Sequence, residues 1–157
     1  MNMKETIDAF VAAKHIAIVG ASPKSDNFGL GLIKELKKEG RSLYPVNPNC
    51  EEVAGEKCYP DVAALPSEVE NVVVVVNAKL SAEIAEQCAN SHVKRVWLHQ
   101  GVGNGSFSKE ALDVLKKNNL DYVYGYCPMM FMGKGFHKFH YWMKRTFGKT
   151  PVELKMA

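Results

Sequence analysis

The chain has 157 residues, of which 46% are hydrophobic and 24% are charged, and its formal net charge is +3. This length is enough for one domain with a sizeable core, and the composition is that of an ordinary globular protein. No apolar run approaches the ~20 residues that a membrane-spanning helix needs, so a membrane protein is excluded at this stage.

The four cysteines, Cys50, Cys58, Cys88 and Cys127, form no metal-binding or paired pattern. They include no Cys-x-x-Cys sequence and no grouping with histidine, so free thiols in a reducing compartment explain them best. We therefore expect a cytoplasmic protein without a metal site. The mild positive charge predicts only a tolerance of anionic ligands.

The first predicted element is an amphipathic helix over residues 1–14, which does not have the pattern of a signal peptide. Its apolar face contains Ile7, Phe10 and Val11, and we expect that face to cover one edge or end of a sheet. Residues 16–19, IAIV, are typical of a strand that is buried on both faces.

A glycine-lined loop follows this strand. Gly20 permits a tight exit, residues 22–27 form a polar turn, and Gly29 and Gly31 begin a helix that ends at Gly40. Free backbone N–H groups and the positive end of a helix favour an anion over such a loop. The spacing is not G-x-G-x-x-G, so two interpretations stay open. The loop binds the phosphate of a nucleotide-like cofactor, or its glycines only shape a tight corner.

Strands and helices alternate through the rest of the chain. Leu80, Ile84 and Cys88 predict the core face of one helix. Ser106 or Ser108 predicts the cap of the next helix, which Asn118-Asn119 can end in a left-handed conformation. Further strands are predicted at residues 42–46, 72–76, 93–98 and 120–124, with a short edge strand at 57–59 and a helical turn at 61–65.

This alternation predicts an α/β fold with a doubly wound parallel sheet, Rossmann-like, in a single domain. The domain comprises residues 1–132, and residues 133–157 form a short aromatic and basic C-terminal extension. Ligands of such sheets bind beyond the carboxyl ends of the strands, where the strand order reverses. That rule brings four segments to one edge of the sheet, namely residues 20–25, 47–49, 77–79 and 98–100.

The nucleotide cannot be assigned from these segments alone. A site for NAD normally has an acidic residue at the end of the second strand, and here that position is Asn47, followed by Pro48. No Walker sequence is present, so a P-loop nucleotide site is excluded.

Five motifs in order give a resemblance to a known family: IAIVGASPKSDNFG, YPVNPNCEEVAGEKCYPDVAALP, VVVVVNA, VWLHQGV and YGYCPMMFM. Over residues 15–132 the chain resembles the small stand-alone CoA-binding proteins, which are similar to the CoA-binding domain of the succinyl-CoA synthetase alpha subunit. The resemblance implies that the cofactor is CoA or an acyl-CoA.

The resemblance also implies roles for the residues at the predicted edge. Residues 22–25 would hold the CoA phosphates, residues 47–49 would flank the nucleotide, and residues 98–100 would lie beside the pantetheine. The cofactor-binding residues predicted in this way are Gly20, Ala21, Ser22, Pro23, Lys24, Ser25, Asn47, Pro48, Asn49, Asn77, Leu98, His99 and Gln100.

No catalytic constellation can be placed in the sequence. The synthetase carries its phosphorylated histidine in a second domain, and we expect this chain to lack one, so the ligase reaction is not transferred to it. We therefore expect a protein that binds CoA without evident catalysis. Two alternatives stay open: an NAD(P)-binding oxidoreductase or redox sensor, and a protein-interaction module on a cofactor-binding fold.

Some residues have both a functional and a packing interpretation. His99 is either a proton carrier or, as we favour, a packing residue, and Cys127 is more consistent with a buried small residue than with a reactive thiol. Lys24 either neutralises phosphate or is a surface lysine. Phe136 and Trp142 belong to an aromatic stripe in the extension, which we expect to dock on the domain or on a second copy of the chain rather than on nucleic acid or a membrane.

Overall fold

Five parallel strands form the centre of this computed structural model, which describes residues 1–101 and 105–133. The strands are β1 (His15–Val19), β2 (Ser42–Val46), β3 (Glu52–Val53), β4 (Glu56–Lys57), β5 (Asn71–Val74), β6 (Arg95–His99) and β7 (Asp121–Tyr126). The helices are α1 (Met3–Ala12), α2 (Phe28–Lys37), α3 (Ala78–Ala89) and α4 (Lys109–Lys117). The predicted α/β fold is confirmed.

The strand order places the reversal point of the sheet between β1 and β5. The order is β2-β1-β5-β6-β7, while β3 and β4 form a separate antiparallel hairpin. From β1 the chain crosses outwards to β2, then returns to the other side of β1 as β5. Ligands of such sheets bind outside the carboxyl ends of the strands at this reversal.

Both faces of the sheet are covered by helices, which explains why the middle residues of β1, β5 and β6 are apolar. Along β1 the side chains alternate, so that Ile16 and Ile18 pack with α1 and α2, while Ala17 and Val19 pack with α3 and α4. Burial of a Val or Ile side chain stabilises a fold by roughly 1.5–3 kcal/mol. The two layers therefore hold β1 from both sides.

Helix α1 covers the β6–β7 side of the sheet. A capping box between Asn2 and Glu5 fixes its start, and Phe10 contacts Trp97 edge to face, with ring centroids 5.3 Å apart. Ile7 and Phe10 are buried as predicted, whereas Val11 is 41% exposed, so its assignment to the apolar face was wrong.

The predicted core face of α3 is partly wrong. Cys88 is buried, but Leu80 is 51% exposed, and the residues that join Cys88 in the core are Ser81 and Ala85. These small side chains let α3 approach α4 and the sheet closely. A periodicity argument that follows the large apolar residues assigns the wrong face to such a helix.

Other helix and strand boundaries differ by a few residues from the predicted ones. Strand β5 ends at Val74, and β7 runs on to Tyr126 through Gly125, whose φ is +84°. Ser108 caps α4 by accepting a hydrogen bond from the Ala111 N–H at 3.0 Å, and Asn119 ends the helix in the left-handed region with φ +56°. The short edge strand predicted at residues 57–59 is confirmed in part, since Lys57 belongs to β4 and Tyr59 pairs with Val46 of β2 in a single parallel bridge. The helical turn predicted at 61–65 is a 3-10 turn at residues 62–64.

All four cysteines are free thiols, as predicted. Within residues 1–101 and 105–133, no helix combines the length and the apolar character that crossing a bilayer requires. The same residues contain no group of three or more His, Cys, Asp or Glu side chains arranged around a metal position. Residues 134–157, which make up nearly all of the predicted extension, lie outside the described residues, so its docking stays a prediction.

Candidate functional site

An open cleft of about 380 Å³ lies at the carboxyl ends of β1 and β2, beside the reversal point of the sheet. Val19, Gly20 and Val46 form its floor. One wall consists of residues 47–49 and 60–61, and the other wall is a face of α3. The cleft therefore occupies the position at which the fold binds ligands.

The face of α3 that lines the cleft explains why Leu80 is exposed. Leu80, Glu83, Ile84 and Gln87 are spaced three or four residues apart, so they share one side of the helix. The Gln87 Oε1 accepts a hydrogen bond from the Val62 N–H at 3.3 Å, which ties the helix to the opposite wall. Leu80 thus faces the cleft rather than the core, while Ile84 lines the cleft and also packs against the core.

Asn27 organises the loop that follows β1. Its Nδ2 donates to the Gly20 carbonyl at 3.2 Å, and its Oδ1 accepts from the N–H groups of Ser22 at 3.1 Å and Leu30 at 2.9 Å. The last bond also caps α2. Sequence reasoning omitted Asn27 from the site, although an asparagine immediately before a helix is an N-cap signal that could have identified it.

These bonds determine which amides of the loop are left for an anion. The N–H of Ser22 is used by Asn27, so a ligand cannot take it without breaking that bond. The N–H groups of Phe28 and Gly29 lie in the first turn of α2, where a helix offers no carbonyl of its own. Lys24 is exposed on the same loop.

Close packing explains why Gly20 and Gly29 are glycines. Gly20 has φ +101°, and a Cβ there would lie 2.8 Å from Val76 Cγ1, so only glycine lets β1 turn beside β5. A Cβ on Gly29 would lie 2.7 Å from the Cα of Ala21. Gly31 has no such constraint, since its nearest neighbour would be Met129 Cε at 3.9 Å.

The predicted asparagines at the edge also shape the site through hydrogen bonds. The Asn47 Nδ2 donates to the Ala21 carbonyl at 3.1 Å, and its Oδ1 accepts from the Asn49 N–H at 2.9 Å. Asn77 caps α3 by accepting from the Lys79 N–H at 3.0 Å. Residues 20–25 and 47–49 are thus brought together, as the sheet rule predicted.

The segment at the end of β6 lies away from the cleft. Leu98 is fully buried in the core, and the Gln100 N–H donates to the Tyr126 carbonyl at 3.1 Å. The ring of His99 stacks on Phe28, with centroids 4.0 Å apart and planes inclined by 10°. Burial lowers the pKa of His99 to about 4, and its Nδ1 is buried without a hydrogen-bond partner among the described residues. The imidazole is therefore neutral near pH 7, which favours the packing interpretation.

Ser106 joins β6, α3 and the segment between β5 and α3 at this edge, and it was not identified as a site residue from the sequence. Its hydroxyl donates to the Val76 carbonyl, and its N–H donates to the His99 carbonyl at 2.8 Å. Its own carbonyl accepts from the Ser81 hydroxyl of α3 at 2.6 Å. Ser81 lies 25 residues away in the sequence and Val76 lies 30 residues away. No local sequence pattern could therefore reveal these two bonds.

Charge is distributed unevenly over the edge. The residues that line the cleft include two carboxylates, Asp61 and Glu83, and no lysine, arginine or histidine. Neither carboxylate has an ion-pair partner among residues 1–101 and 105–133. The loop after β1, in contrast, offers Lys24 and the N-terminus of α2. A ligand that spans both parts would place its negative groups at the loop.

Comparison with known proteins gives one family and several relatives. The family model described as a CoA binding domain matches residues 14–132. The ADP-forming acetate–CoA ligase II of Archaeoglobus fulgidus is 29% identical over 115 residues, which cover 68% of this chain and 17% of the ligase. The alpha subunit of the ADP-forming acetate–CoA ligase II of Pyrococcus furiosus is 36% identical over 91 residues, which cover 57% of this chain and 20% of the subunit. The chain thus spans about a fifth of the length of these relatives.

A solved structure shares the same architecture. The structure described as a hypothetical protein from Pyrococcus horikoshii OT3 superposes with a TM-score of 0.73 at 34% sequence identity. The match covers 82% of this chain and 88% of that protein. Small proteins of this length therefore share the fold that also forms one part of the larger ligases.

Proposed function

This chain belongs to the CoA-binding domain family, and on that premise we propose that it holds CoA, free or acylated, along the carboxyl edge of its sheet. The observation that supports this most directly is the coincidence of the family match with an open cleft at the β1–β5 reversal. The adenosine end occupies the cleft, and the diphosphate lies over the loop after β1.

The cleft suits a flat base better than a phosphate. Pro48, Pro60, Leu80 and Ile84 all line it, so a base in the cleft would remove apolar surface from water. Such burial stabilises a complex by about 25 cal/mol per Å² of apolar surface before the costs of association. The carboxylates of the same cleft, Asp61 and Glu83, favour placing the diphosphate over the loop rather than in the cleft.

The loop after β1 suits the diphosphate. The N–H groups of Phe28 and Gly29 lie in the first turn of α2, at the positive end of its dipole, which favours an anion there. Lys24 adds an exposed positive charge on the same loop. Ser22 contributes through its hydroxyl, because its amide is used by Asn27.

The pantetheine then runs towards the end of β6, where Phe28 and His99 present a stacked, uncharged surface. We propose no chemical step on it. Burial raises the pKa of the Cys127 thiol, and the lowered pKa of His99 makes that imidazole a poor base. The function proposed is binding of the cofactor, without catalysis by this domain.

Thermal melts with several cofactors test the ligand class. A ligand present at one hundred times its dissociation constant stabilises the native state by about 2.7 kcal/mol, which raises the melting temperature by roughly 5–10 °C for a domain of this size. We expect that shift with CoA and acetyl-CoA, and none with NAD or NADP at equal concentration. A shift with NAD and none with either CoA species would contradict the proposal.

A matched pair of substitutions tests the location. Leu80 is 51% exposed in the cleft and Val11 is 41% exposed on α1, so Leu80→Ser and Val11→Ser should each leave the melting temperature nearly unchanged. Leu80→Ser should weaken CoA about tenfold, because it removes an apolar contact worth roughly 1–2 kcal/mol to the base. Val11→Ser should bind as the parent does. Equal affinities of the two variants in calorimetry would place the base elsewhere.

A further inference from the structure

The hairpin of β3 and β4 has a cysteine on each side of its base, next to one wall of the cleft. Cys50 precedes β3 and Cys58 follows β4, and residues 47–49 of the wall lead directly into Cys50. We propose that Cys50 and Cys58 are a redox-sensitive thiol pair, which a low-molecular-weight disulfide oxidises to an intrachain disulfide that weakens ligand binding in the cleft. The effect on the ligand rests on the proposed function, whereas the oxidation itself does not.

The turn and the ladder of the hairpin determine how near the two cysteines lie. Ala54 and Gly55 both have positive φ, 53° and 80°, which is typical of a two-residue turn that joins antiparallel strands tightly. Beyond the strands, the Cys58 N–H donates to the Glu51 carbonyl at 2.9 Å. Cys50 is thus one position past the residue opposite Cys58, which places their Cα atoms roughly 6–7 Å apart. A disulfide needs about 4.4–6.8 Å, so a small movement of the chain before β3 brings them into range.

Both side chains pack against the same part of the core. Cys58 is 7% exposed and belongs to the cluster beneath α1 and α2, and half-buried Cys50 packs against that cluster. Burial raises the pKa of the Cys58 thiol, and the neighbouring Cys50 raises it further. Cys50 is therefore the thiol that a reagent in solution reaches first, and Cys58 is the second thiol beside it.

The disulfide forms by two successive thiol–disulfide exchanges. The Cys50 thiolate attacks one sulfur of the small disulfide RSSR, so that a mixed disulfide forms on Cys50 and the first RS group leaves as a thiol. The Cys58 thiolate then attacks the Cys50 Sγ and displaces the second RS group, and the two protons of the protein thiols end on the two RSH molecules. Two protein thiols are oxidised and one small disulfide is reduced. In a reducing compartment such a bond is transient, as in proteins that respond to a change of redox state.

Oxidation alters the cleft wall because Cys58 is hydrogen-bonded to it. The Cys58 thiol donates to the Asn47 carbonyl, with Sγ and O 3.6 Å apart. The side chain of Asn47 in turn holds the Asn49 N–H and the Ala21 carbonyl. A disulfide has no S–H to donate, and it draws Cys50 towards the end of β4, so Asn49 moves with it. The wall is thereby displaced from the position in which it lines the cleft.

Mass spectrometry after incubation with glutathione disulfide tests the thiol pair. The folded parent should lose the mass of two hydrogens, and its digest should contain a peptide pair linked through Cys50 and Cys58. Cys58→Ser should stop at a glutathione adduct on Cys50, whereas Cys50→Ser should form neither product. Cys88→Ala removes a fully buried thiol on the other face of the sheet, so it should oxidise as the parent does. A parent that keeps both thiols, or that links a different pair, would overturn the inference.

Calorimetry with acetyl-CoA tests the effect on the ligand. Acetyl-CoA has no free thiol, so it does not reduce the disulfide during the titration. The oxidised parent should bind it roughly three- to tenfold more weakly than the reduced parent does, the effect of losing about one hydrogen bond, and dithiothreitol should restore the affinity. Cys50→Ser should bind equally before and after treatment with glutathione disulfide. Equal affinities of the two forms of the parent would overturn the inference, while failure of the reduced parent to bind would overturn the proposed function itself.

Discussion

Burial changes the acid–base behaviour of the His99 imidazole. It stacks on Phe28, and burial lowers its pKa to about 4. In the unfolded chain the same group has its ordinary pKa of about 6.5. The unfolded state therefore takes up a proton at a higher pH than the native state does. Stability from this residue is fully present above pH 6.5 and is lost as the pH falls towards 4.

Urea denaturation at several pH values measures this loss. Between about pH 7 and about pH 4.5, the parent should lose roughly 1–2 kcal/mol more unfolding free energy than His99→Gln, after discounting for the exposed part of the ring. The carboxylates titrate in both proteins, so they cancel in the difference. Parallel losses in parent and variant would mean that His99 is not the group responsible.

At the scale of single elements, two neighbouring glycines differ in whether a side chain could replace their hydrogen. Gly20 in the loop after β1 must be glycine, whereas Gly31 in α2 need not be. Gly20 turns β1 against β5 with φ +101°, where a Cβ would lie 2.8 Å from Val76 Cγ1. Gly31 is an ordinary helical residue of α2 with space for a methyl group. Sequence analysis assigned Gly20 to a tight exit from β1 and left open whether the loop also binds phosphate. The structure shows that Val76, just after β5, is what excludes a side chain at Gly20.

Alanine substitutions separate the two cases. Gly20→Ala should lower the unfolding free energy by about 2 kcal/mol, because a non-glycine residue is strained at this φ and its Cβ displaces Val76. Gly31→Ala should raise the unfolding free energy by up to about 1 kcal/mol through its higher helix propensity. Chemical denaturation gives both values. Destabilisation of equal size by the two substitutions would contradict this interpretation.

At the scale of the whole molecule, the sheet and its binding edge could be predicted from the sequence. The valine run of β5 and the alternating helices require a covered parallel sheet, and the carboxyl ends of parallel strands must meet at one edge. Residues 20–25 and 47–49 therefore came together as expected. This part of the prediction depended on periodicity and chain order alone.

The finer structure of the edge could not be predicted in the same way. Leu80 was assigned to the core because large apolar residues normally mark the buried face, whereas Ser81 and Ala85 are the residues that pack there. Ser106 depends on partners far away in sequence. Asn27 did carry a local signal, since it precedes a helix, but its reach back to Gly20 depends on the tertiary turn.

The three hydrogen bonds of Ser106 also set how this edge can open. Ser106 belongs to no helix or strand, yet it is 1% exposed and its N–H is bonded to the His99 carbonyl at 2.8 Å. In hydrogen–deuterium exchange its amide should therefore be protected like those of β6, because it is bonded to the last residue of that strand and the residue is held by α3 and by the segment after β5. Ser106→Ala removes the hydroxyl's bond to Val76, so it should speed exchange of the Ser106 amide and of the start of α3, whereas Ser108→Ala should affect only α4. The exchange rate of the Ser106 amide is thus a measure of how often this edge of the sheet, beside the α3 wall of the cleft, opens.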